Sequence, residues 1–161
     1  MLKIEARCIK YGDDISTDLI IPGKCTKTLD VMELASHAME DLDEDFHKKA
    51  ENGAFVVGGK YFGCGSSREQ APTALKYSNV KAIVAKSFAR IFYRNAINLG
   101  IPIIECDTDE INDGDILSFE VGGDKLIDVT TGKSFDVKPL PSIMVDILAA
   151  GGIVPYYKNT K

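Results

Sequence analysis

Two serines, an arginine and two glycines lie close together in one short run of the sequence, Gly63-Cys64-Gly65-Ser66-Ser67-Arg68. Glycine lacks a Cβ, so the backbone can adopt conformations closed to other residues and a ligand can approach it closely. The guanidinium group of arginine is always charged and matches the shape of a carboxylate or phosphate. This run is therefore the best candidate in the sequence for an active-site loop that binds an anion.

A helix is expected directly after this loop. Ser66 and Glu69 fit the capping pattern S-x-x-E, which predicts a helix over about Ser67–Tyr77. The free N–H groups at the start of that helix would attract an anion. The pattern is common, so Ser66 could be only a cap and Arg68 only a surface charge. A bare cap needs no Gly-x-Gly turn before it, and the residue types favour a functional and a structural role equally.

The rest of the chain alternates between segments typical of strands and of helices, which predicts an α/β fold with a mixed sheet. The strand candidates are Ala6–Lys10, Ala54–Val57, Val80–Ala85, Ile101–Ile104, Ile116–Val121, Lys125–Val129 and Ser134–Val137. The other helix candidates are Val31–His37 capped by Asp30, Leu42–Glu51, Phe88–Leu99 capped by Ser87, and Pro139–Ala150 ended by Gly151-Gly152. Because no repeat or long linker divides the sequence, residues 1–161 are expected to form a single domain.

The composition restricts the class of protein. With 161 residues, 45% of them hydrophobic and 27% charged, the chain fits a soluble globular protein. Its net charge of -5 and its scattered basic residues argue against a nucleic-acid surface. No apolar run approaches the roughly 20 residues of a membrane span, and residues 1–7 lack a signal-peptide core. The expected compartment is the cytoplasm, with no membrane partner.

The cysteines do not have the spacing of a metal site. They are far apart in the sequence, at Cys8, Cys25, Cys64 and Cys106. Without a C-x-x-C pair, the sequence predicts neither a zinc site nor an iron–sulfur site held by this chain alone. The two histidines, His37 and His47, fall in a charged segment and are expected to be solvated rather than catalytic.

Three segments of the sequence, in order, carry a resemblance to a known family. Residues 12–22 (GDDISTDLIIP), 63–70 (GCGSSREQ) and 85–95 (AKSFARIFYRN) together resemble the small subunits of 3-isopropylmalate dehydratases. The likeness extends over the whole chain. These subunits are similar to the swivel domain of aconitase, so the resemblance implies a single swivelling β/β/α domain with a mixed sheet.

The resemblance also implies a division of labour between two chains. A large subunit would hold a [4Fe–4S] cluster through three cysteines, while this chain would bind no cofactor or metal of its own. The two chains would share a site for a small 2-hydroxy dicarboxylate, and could form a heterotetramer. The activity implied is that of a hydro-lyase, which this chain would have only together with its large subunit.

Roles for individual residues follow by matching positions to the family's motifs. Ser66 would be the base that removes a proton from the carbon next to a carboxylate, Arg68 would anchor a substrate carboxylate, and Ser67 would be a supporting hydrogen-bond donor. Gly65 would also belong to the substrate-binding surface. A serine alkoxide is unfavourable in water, so such a base needs nearby positive charge, which Arg68 could supply. Asp14, Thr17 and Asp18 are expected to be supporting residues rather than catalysts.

In relatives, the loop after the I-I-P segment helps to distinguish substrates. The corresponding residues here include Thr26, Lys27 and Thr28, and Cys25-Thr26 departs from the aromatic-leucine pattern common in the family. Lys27 falls near an arginine of homoaconitase-type members and could meet a distal carboxylate or turn to solvent. Gln70 replaces a histidine of many isopropylmalate members.

The substrate is therefore left open by the sequence. Isopropylmalate is the first choice, and homoaconitate, dimethylmalate and citramalate are alternatives. A non-catalytic regulatory or binding module with the same fold is the alternative of a different class. A phosphate-binding loop of the Walker type is disfavoured, because the glycine-rich run has no Gly-Lys-Ser/Thr ending.

Overall fold

A computed structural model describes residues 2–159 as a curved mixed sheet with helices on one face. The strands are β1 Lys3–Lys10, β2 Ala54–Val57, β3 Val80–Ala85, β4 Ile103–Glu105, β5 Ile116–Glu120, β6 Lys125–Asp128 and β7 Lys133–Asp136. The helices are α1 Thr17–Ile20, α2 Val31–Ser36, α3 Phe46–Ala50, α4 Gln70–Lys76, α5 Arg90–Asn98, α6 Ser142–Ala150 and α7 Ile153–Asn159, and a 3₁₀ turn covers Gly23–Cys25.

The sheet has the strand order β4-β3-β2-β1-β5-β6-β7. Strands β1 to β4 are parallel to one another, whereas β5, β6 and β7 are joined to β1 and to one another in antiparallel fashion. The central strand β1 joins the parallel part of the sheet to the antiparallel part. Its residue Cys8 lies opposite Phe55 in β2, and its residue Ile4 lies opposite Phe119 in β5. The predicted α/β fold with a mixed sheet is confirmed.

The hydrophobic core consists of two clusters, one on each face of the sheet, because successive side chains of a strand point to opposite faces. On the helix side, Val56 and Ile83 pack with residues of the helices such as Leu75 and Phe92. On the other side, Phe55 packs with residues of β5 and β6. The parallel strands are therefore covered on both faces, and their carboxyl ends are left to carry loops.

Most predicted elements occur, with shifts at their ends. Asp30 caps α2 as predicted, accepting hydrogen bonds from the amides of Met32 and Glu33. Gly151 ends α6 with a φ of 93°, also as predicted. The cap at Ser87 is wrong: its hydroxyl accepts a hydrogen bond from the amide of Tyr61 instead, and α5 begins at Arg90. Helices α1 and α7 were not predicted. None of the helices within residues 2–159 has the length and apolar character needed to cross a bilayer.

Candidate active site

A cleft of about 490 Å³ opens at the carboxyl ends of the parallel strands. One wall is the loop after β2 and the other is the first part of α5. The lining residues are Thr17, Tyr61, Gly63, Gly65, Ser66, Ser67, Arg68, Phe88, Ala89, Arg90, Ile91, Phe92 and Asn95. The structure thus brings Ser66, Ser67 and Arg68 of the glycine-rich run together at one concave surface, which is where ligands of open α/β sheets usually bind.

Gly63 allows the loop to lie directly on α5. Its φ is +84°, and a Cβ at this position would be 2.2 Å from Cγ of Phe92. The amide of Gly63 donates a hydrogen bond of 2.7 Å to the carbonyl of Ile15. No residue with a side chain could occupy this position without moving the Phe92 ring, so glycine is required here both for its φ and for its size.

Thr17 holds the next part of the loop. Its side chain is buried, and its hydroxyl donates a hydrogen bond of 2.9 Å to the carbonyl of Ser66. Its amide donates a second bond of 2.8 Å to the carbonyl of Cys64. The two bonds fix the backbone on both sides of Gly65, which has a φ of +97°. The prediction that Thr17 is a supporting residue fits these contacts.

The hydroxyls of Ser66 and Ser67 are available to a ligand. Both residues are exposed and line the cleft. Within residues 2–159, neither hydroxyl has a hydrogen-bond partner. A serine hydroxyl is both a donor and an acceptor, so the two side chains can bind or exchange a proton with a molecule in the cleft.

The helix predicted to begin at Ser67 begins later. Helix α4 starts at Gln70, its N-cap is Glu69, and no side chain caps it. The capping box of Ser66 and Glu69 is therefore wrong. The physical reason is that Thr17 holds the Ser66 carbonyl, which keeps residues 66–68 in the loop. The helix start that lines the cleft is instead that of α5, whose first amides lack intrahelical acceptors.

Arg68 is anchored at the edge of the cleft. Its Nη1 lies 2.5 Å from Oδ1 of Asp18, so the two side chains form an ion pair. The same nitrogen lies 3.5 Å from the carbonyl of Ile21. The guanidinium group packs over Gly23, where a Cβ would be 3.3 Å from Nη2. The side chain retains 25% of its exposure, so a carboxylate in the cleft can reach it.

Asp14 supports a turn away from the cleft. It has a φ of 54°, and its amide donates a hydrogen bond of 2.8 Å to the carbonyl of Lys60. Asp14 is not among the lining residues of the cleft. Its carboxylate adds to the effect of burial in raising the pKa of the Cys64 thiol, with burial the larger cause. Cys64 is therefore protonated near neutral pH, and it is not among the residues that line the cleft.

The loop predicted to select the substrate forms a second hollow. Lys27 and Thr28 line a hollow of about 510 Å³ that does not include Ser66. The hydroxyl of Thr26 donates a local hydrogen bond of 2.7 Å to the carbonyl of Gly23. The side-chain Nε2 of Gln70 donates a hydrogen bond of 3.5 Å to the carbonyl of Thr26. The two loops thus touch, but in this chain alone Lys27 does not lie at the same cleft as the serines.

Sequence reasoning missed several residues that line the cleft, among them Tyr61, Arg90 and Asn95. The available signal was the third segment of the resemblance, residues 85–95, which contains both Arg90 and Asn95. Arg90 adds a second positive charge to the cleft, so the site favours a ligand with more than one carboxylate.

Comparison with known proteins finds relatives over nearly the whole chain. The aconitase C-terminal domain family matches residues 14–108, which include the loop, Thr17 and the start of α5. A relative from Archaeoglobus fulgidus named 3-isopropylmalate dehydratase small subunit 2 is 52% identical over 98% of this chain and 96% of its own. The methanogen homoaconitase small subunit of Methanocaldococcus jannaschii is 49% identical over 98% of this chain and 93% of its own.

A solved structure has the same fold as this chain. A crystal structure of 3-isopropylmalate dehydratase from Methanocaldococcus jannaschii superposes with a TM-score of 0.94 at 48% identity. It covers 99% of this chain and 95% of the other. The resemblance drawn from the three sequence segments is confirmed. The chain belongs to the aconitase C-terminal domain family.

Proposed function

We propose that this chain is the small subunit of a heteromeric hydro-lyase, and that its substrate is 3-isopropylmalate. The observation that carries the proposal is the cleft in which two exposed serine hydroxyls lie beside Arg68 and the start of α5. Relatives with 45% and 52% sequence identity over nearly the whole chain are named 3-isopropylmalate dehydratase small subunits, which supports the reaction class. The reaction would interconvert 2- and 3-isopropylmalate by dehydration and rehydration, a step of leucine biosynthesis.

Each residue of the cleft has a distinct task in this proposal. Arg68, held by Asp18, binds one carboxylate of the substrate through two parallel hydrogen bonds. Ser66, as its alkoxide, accepts the proton from the carbon next to that carboxylate and becomes a neutral hydroxyl, while the hydroxyl group on the adjacent carbon leaves as hydroxide. The negative charge that develops next to the carboxylate is stabilised by Arg68 and the amides at the start of α5. Ser67 and the backbone at Gly65 complete the polar surface. Thr17 keeps Ser66 in place through its carbonyl.

The iron–sulfur chemistry is assigned to a partner chain. Cys8 and Cys106 are buried, and within residues 2–159 the group of converging metal-binding side chains contains a single cysteine, Cys25. The resemblance implies that three cysteines hold such a cluster in the family. This chain therefore does not fit a [4Fe–4S] cluster. A large subunit would supply the cluster, whose open iron acts as a Lewis acid, and the assembly could be a heterotetramer.

Two further assignments rest on the same observations. The seven strands form one continuous sheet, which supports a single domain over residues 1–161. All four cysteines are free thiols, which supports a place in the reducing cytoplasm.

Homoaconitate is the second candidate substrate. Lys27 is an exposed cation in the loop beside the cleft, and a homoaconitase small subunit is 49% identical to this chain. Closure of the loop against a partner would bring Lys27 towards the distal carboxylate of a tricarboxylate. In that case Lys27→Ala would lower kcat/KM for homoaconitate more than for isopropylmalate, whereas Lys24→Ala would affect both equally.

The test is reconstitution with an aconitase-like large subunit. The two chains are co-expressed, the cluster is assembled without oxygen, and initial rates are compared on isopropylmalate, homoaconitate, dimethylmalate and citramalate. We expect the highest kcat/KM on isopropylmalate and no turnover by the small subunit alone. Turnover by the isolated chain would contradict the division of labour, and no turnover on any of the four by the complex would contradict the proposed reaction.

A further inference from the structure

Three side chains with metal-binding atoms meet beside the loop that carries Lys27. The thiol of Cys25, Nδ1 of His37 and the carboxylate of Glu40 lie within 4.8 Å of one another. Nδ1 of His37 is 2.7 Å from Oε2 of Glu40, and Sγ of Cys25 is 3.7 Å from Oε1 of the same carboxylate. In the part of the chain from residue 2 to residue 159, no other three side chains of these types converge in this way.

The fold brings these side chains together from three places. Cys25 is the last residue of the 3₁₀ turn, and His37 is the C-cap of α2. Glu40 follows Met39, which is buried and has a φ of 62°. The amide of Met39 donates a hydrogen bond of 2.7 Å to the carbonyl of Ile20. This left-handed residue reverses the chain after α2 and places Glu40 against His37.

An ordinary ion pair explains only part of this arrangement. A histidine and a glutamate three residues apart often pair at the end of a helix. The pair alone does not account for the thiol of Cys25, which comes from a different segment and points at the same carboxylate. Thiolate, imidazole and carboxylate are the three ligand types of zinc sites, and three protein ligands leave a fourth position for water.

We propose that Cys25, His37 and Glu40 bind one Zn²⁺ ion. The thiolate and the carboxylate together balance its two positive charges, while the imidazole binds as the neutral form. All three side chains are partly exposed, so the ion can enter from solvent. Bound zinc ties the loop that carries Lys27 to the end of α2, and the site is independent of the proposed reaction.

The test is metal binding by the intact chain after treatment with a chelator. Co²⁺ is used as the probe, because a thiolate ligand gives it a charge-transfer band in the near ultraviolet. We expect one Co²⁺ per chain, displaced by one Zn²⁺. Cys25→Ser abolishes the band, and His37→Gln and Glu40→Gln weaken binding by more than the roughly 10- to 100-fold that loss of a supporting residue costs.

The matched controls are the other half-exposed thiol and the other histidine. Cys64→Ser and His47→Gln retain the band and the stoichiometry. A band that persists in Cys25→Ser overturns the proposal. The proposal can also be tested on the wild-type chain alone, in case a variant fails to fold. Co²⁺ binding by the wild-type chain without a thiolate band would overturn the proposal. As a second readout, Zn²⁺ slows hydrogen exchange of the amides of residues 24–28 in the wild type; unchanged exchange at saturating Zn²⁺ contradicts the tie between loop and helix.

Discussion

The buried hydroxyl of Thr17 donates a hydrogen bond of 2.9 Å to the carbonyl of Ser66. The bond joins the start of α1 to the loop that carries the proposed base, across 49 residues of sequence. Because the amide of Thr17 also holds the carbonyl of Cys64, one residue fixes the loop on both sides of Gly65. The position of the Ser66 hydroxyl is therefore set by a residue that does not itself carry out the proposed chemistry.

Replacing Thr17 by valine tests this positioning role. Valine has nearly the same shape as threonine but cannot donate a hydrogen bond. The Ser66 carbonyl therefore loses its hydrogen-bond partner, at a free-energy cost of about 1–3 kcal/mol. We expect kcat of the reconstituted enzyme to fall by about 10- to 100-fold while KM changes little. Thr17→Ser, which restores the donor, is the control and retains most of the activity. Equal activity of the valine and serine variants would show that the bond does not position Ser66.

The anchoring of Arg68 gives a second prediction. Lysine keeps the charge but not the fork of parallel donors, so Arg68→Lys should raise KM by about 10- to 100-fold. Asp18→Asn should raise KM less, because the guanidinium group would still be present. Neither change should alter the urea midpoint much, because Asp18 is 64% exposed and exposed ion pairs contribute only about 0–1 kcal/mol. An unchanged KM in Arg68→Lys would exclude Arg68 as the carboxylate anchor.

Gly63→Ala should destabilise the fold through a steric clash as well as through backbone strain. Its matched control is Gly114→Ala, because Gly114 has a similar φ of +89° but nothing within 4 Å of the new Cβ. Strain alone costs about 1–2 kcal/mol, and overpacking against Phe92 adds roughly 1–3 kcal/mol. Urea unfolding should therefore give a clearly larger loss for Gly63→Ala. Equal losses would mean that the Phe92 ring moves aside without cost.

A buried carboxyl far from the cleft makes stability depend on pH. Burial, and next the neighbouring carboxyl group of Asp115, raises the pKa of Asp128 above its ordinary value of 3.8. Between pH 3.8 and the raised pKa, the folded protein binds a proton that the unfolded chain releases. The contribution of this group to the free energy of unfolding is therefore full below pH 3.8 and is lost as pH rises through the raised pKa. Asp128→Asn should remove this dependence and stabilise the protein near neutral pH by about 1 kcal/mol.

The measurement is the free energy of unfolding in urea at several pH values. Asp124→Asn, an exposed aspartate in the turn before β6, is the control and should leave the profile unchanged. A loss of stability in Asp128→Asn near neutral pH would contradict a raised pKa for Asp128. It would show that the charged form is the one that the fold accommodates.

The sequence predicted the helix ends that depend on interactions between neighbouring residues, and it failed where a distant residue takes part. Asp30 caps α2 and Gly151 ends α6 because both effects act within a few residues of the chain. The capping box at Ser66 failed because a distant residue, Thr17, competes for the same backbone. Similarly, the Ser87 hydroxyl accepts a hydrogen bond from the backbone amide of Tyr61 and does not cap α5. Pattern reasoning cannot see a partner that is brought near only by the fold.

The same limit applies to the site. The glycine-rich run was identified from its residue types, since two glycines, two serines and an arginine are an unusual combination. The second wall of the cleft, with Arg90 and Asn95, could not be derived from spacing, because parallel strands bring α5 to the loop only in three dimensions. Likewise, Cys25 and His37 showed no metal spacing in the sequence, and the left-handed Met39 is what brings Glu40 to them.

The most direct test of the central claim is the effect of Ser66→Ala on kcat of the enzyme reconstituted with its large subunit, measured on isopropylmalate beside Ser67→Ala. If Ser66 is the base, kcat falls by about 10²- to 10⁴-fold with little change in KM, and Ser67→Ala has a much smaller effect. A Ser66→Ala enzyme with kcat close to that of the wild type would contradict the account.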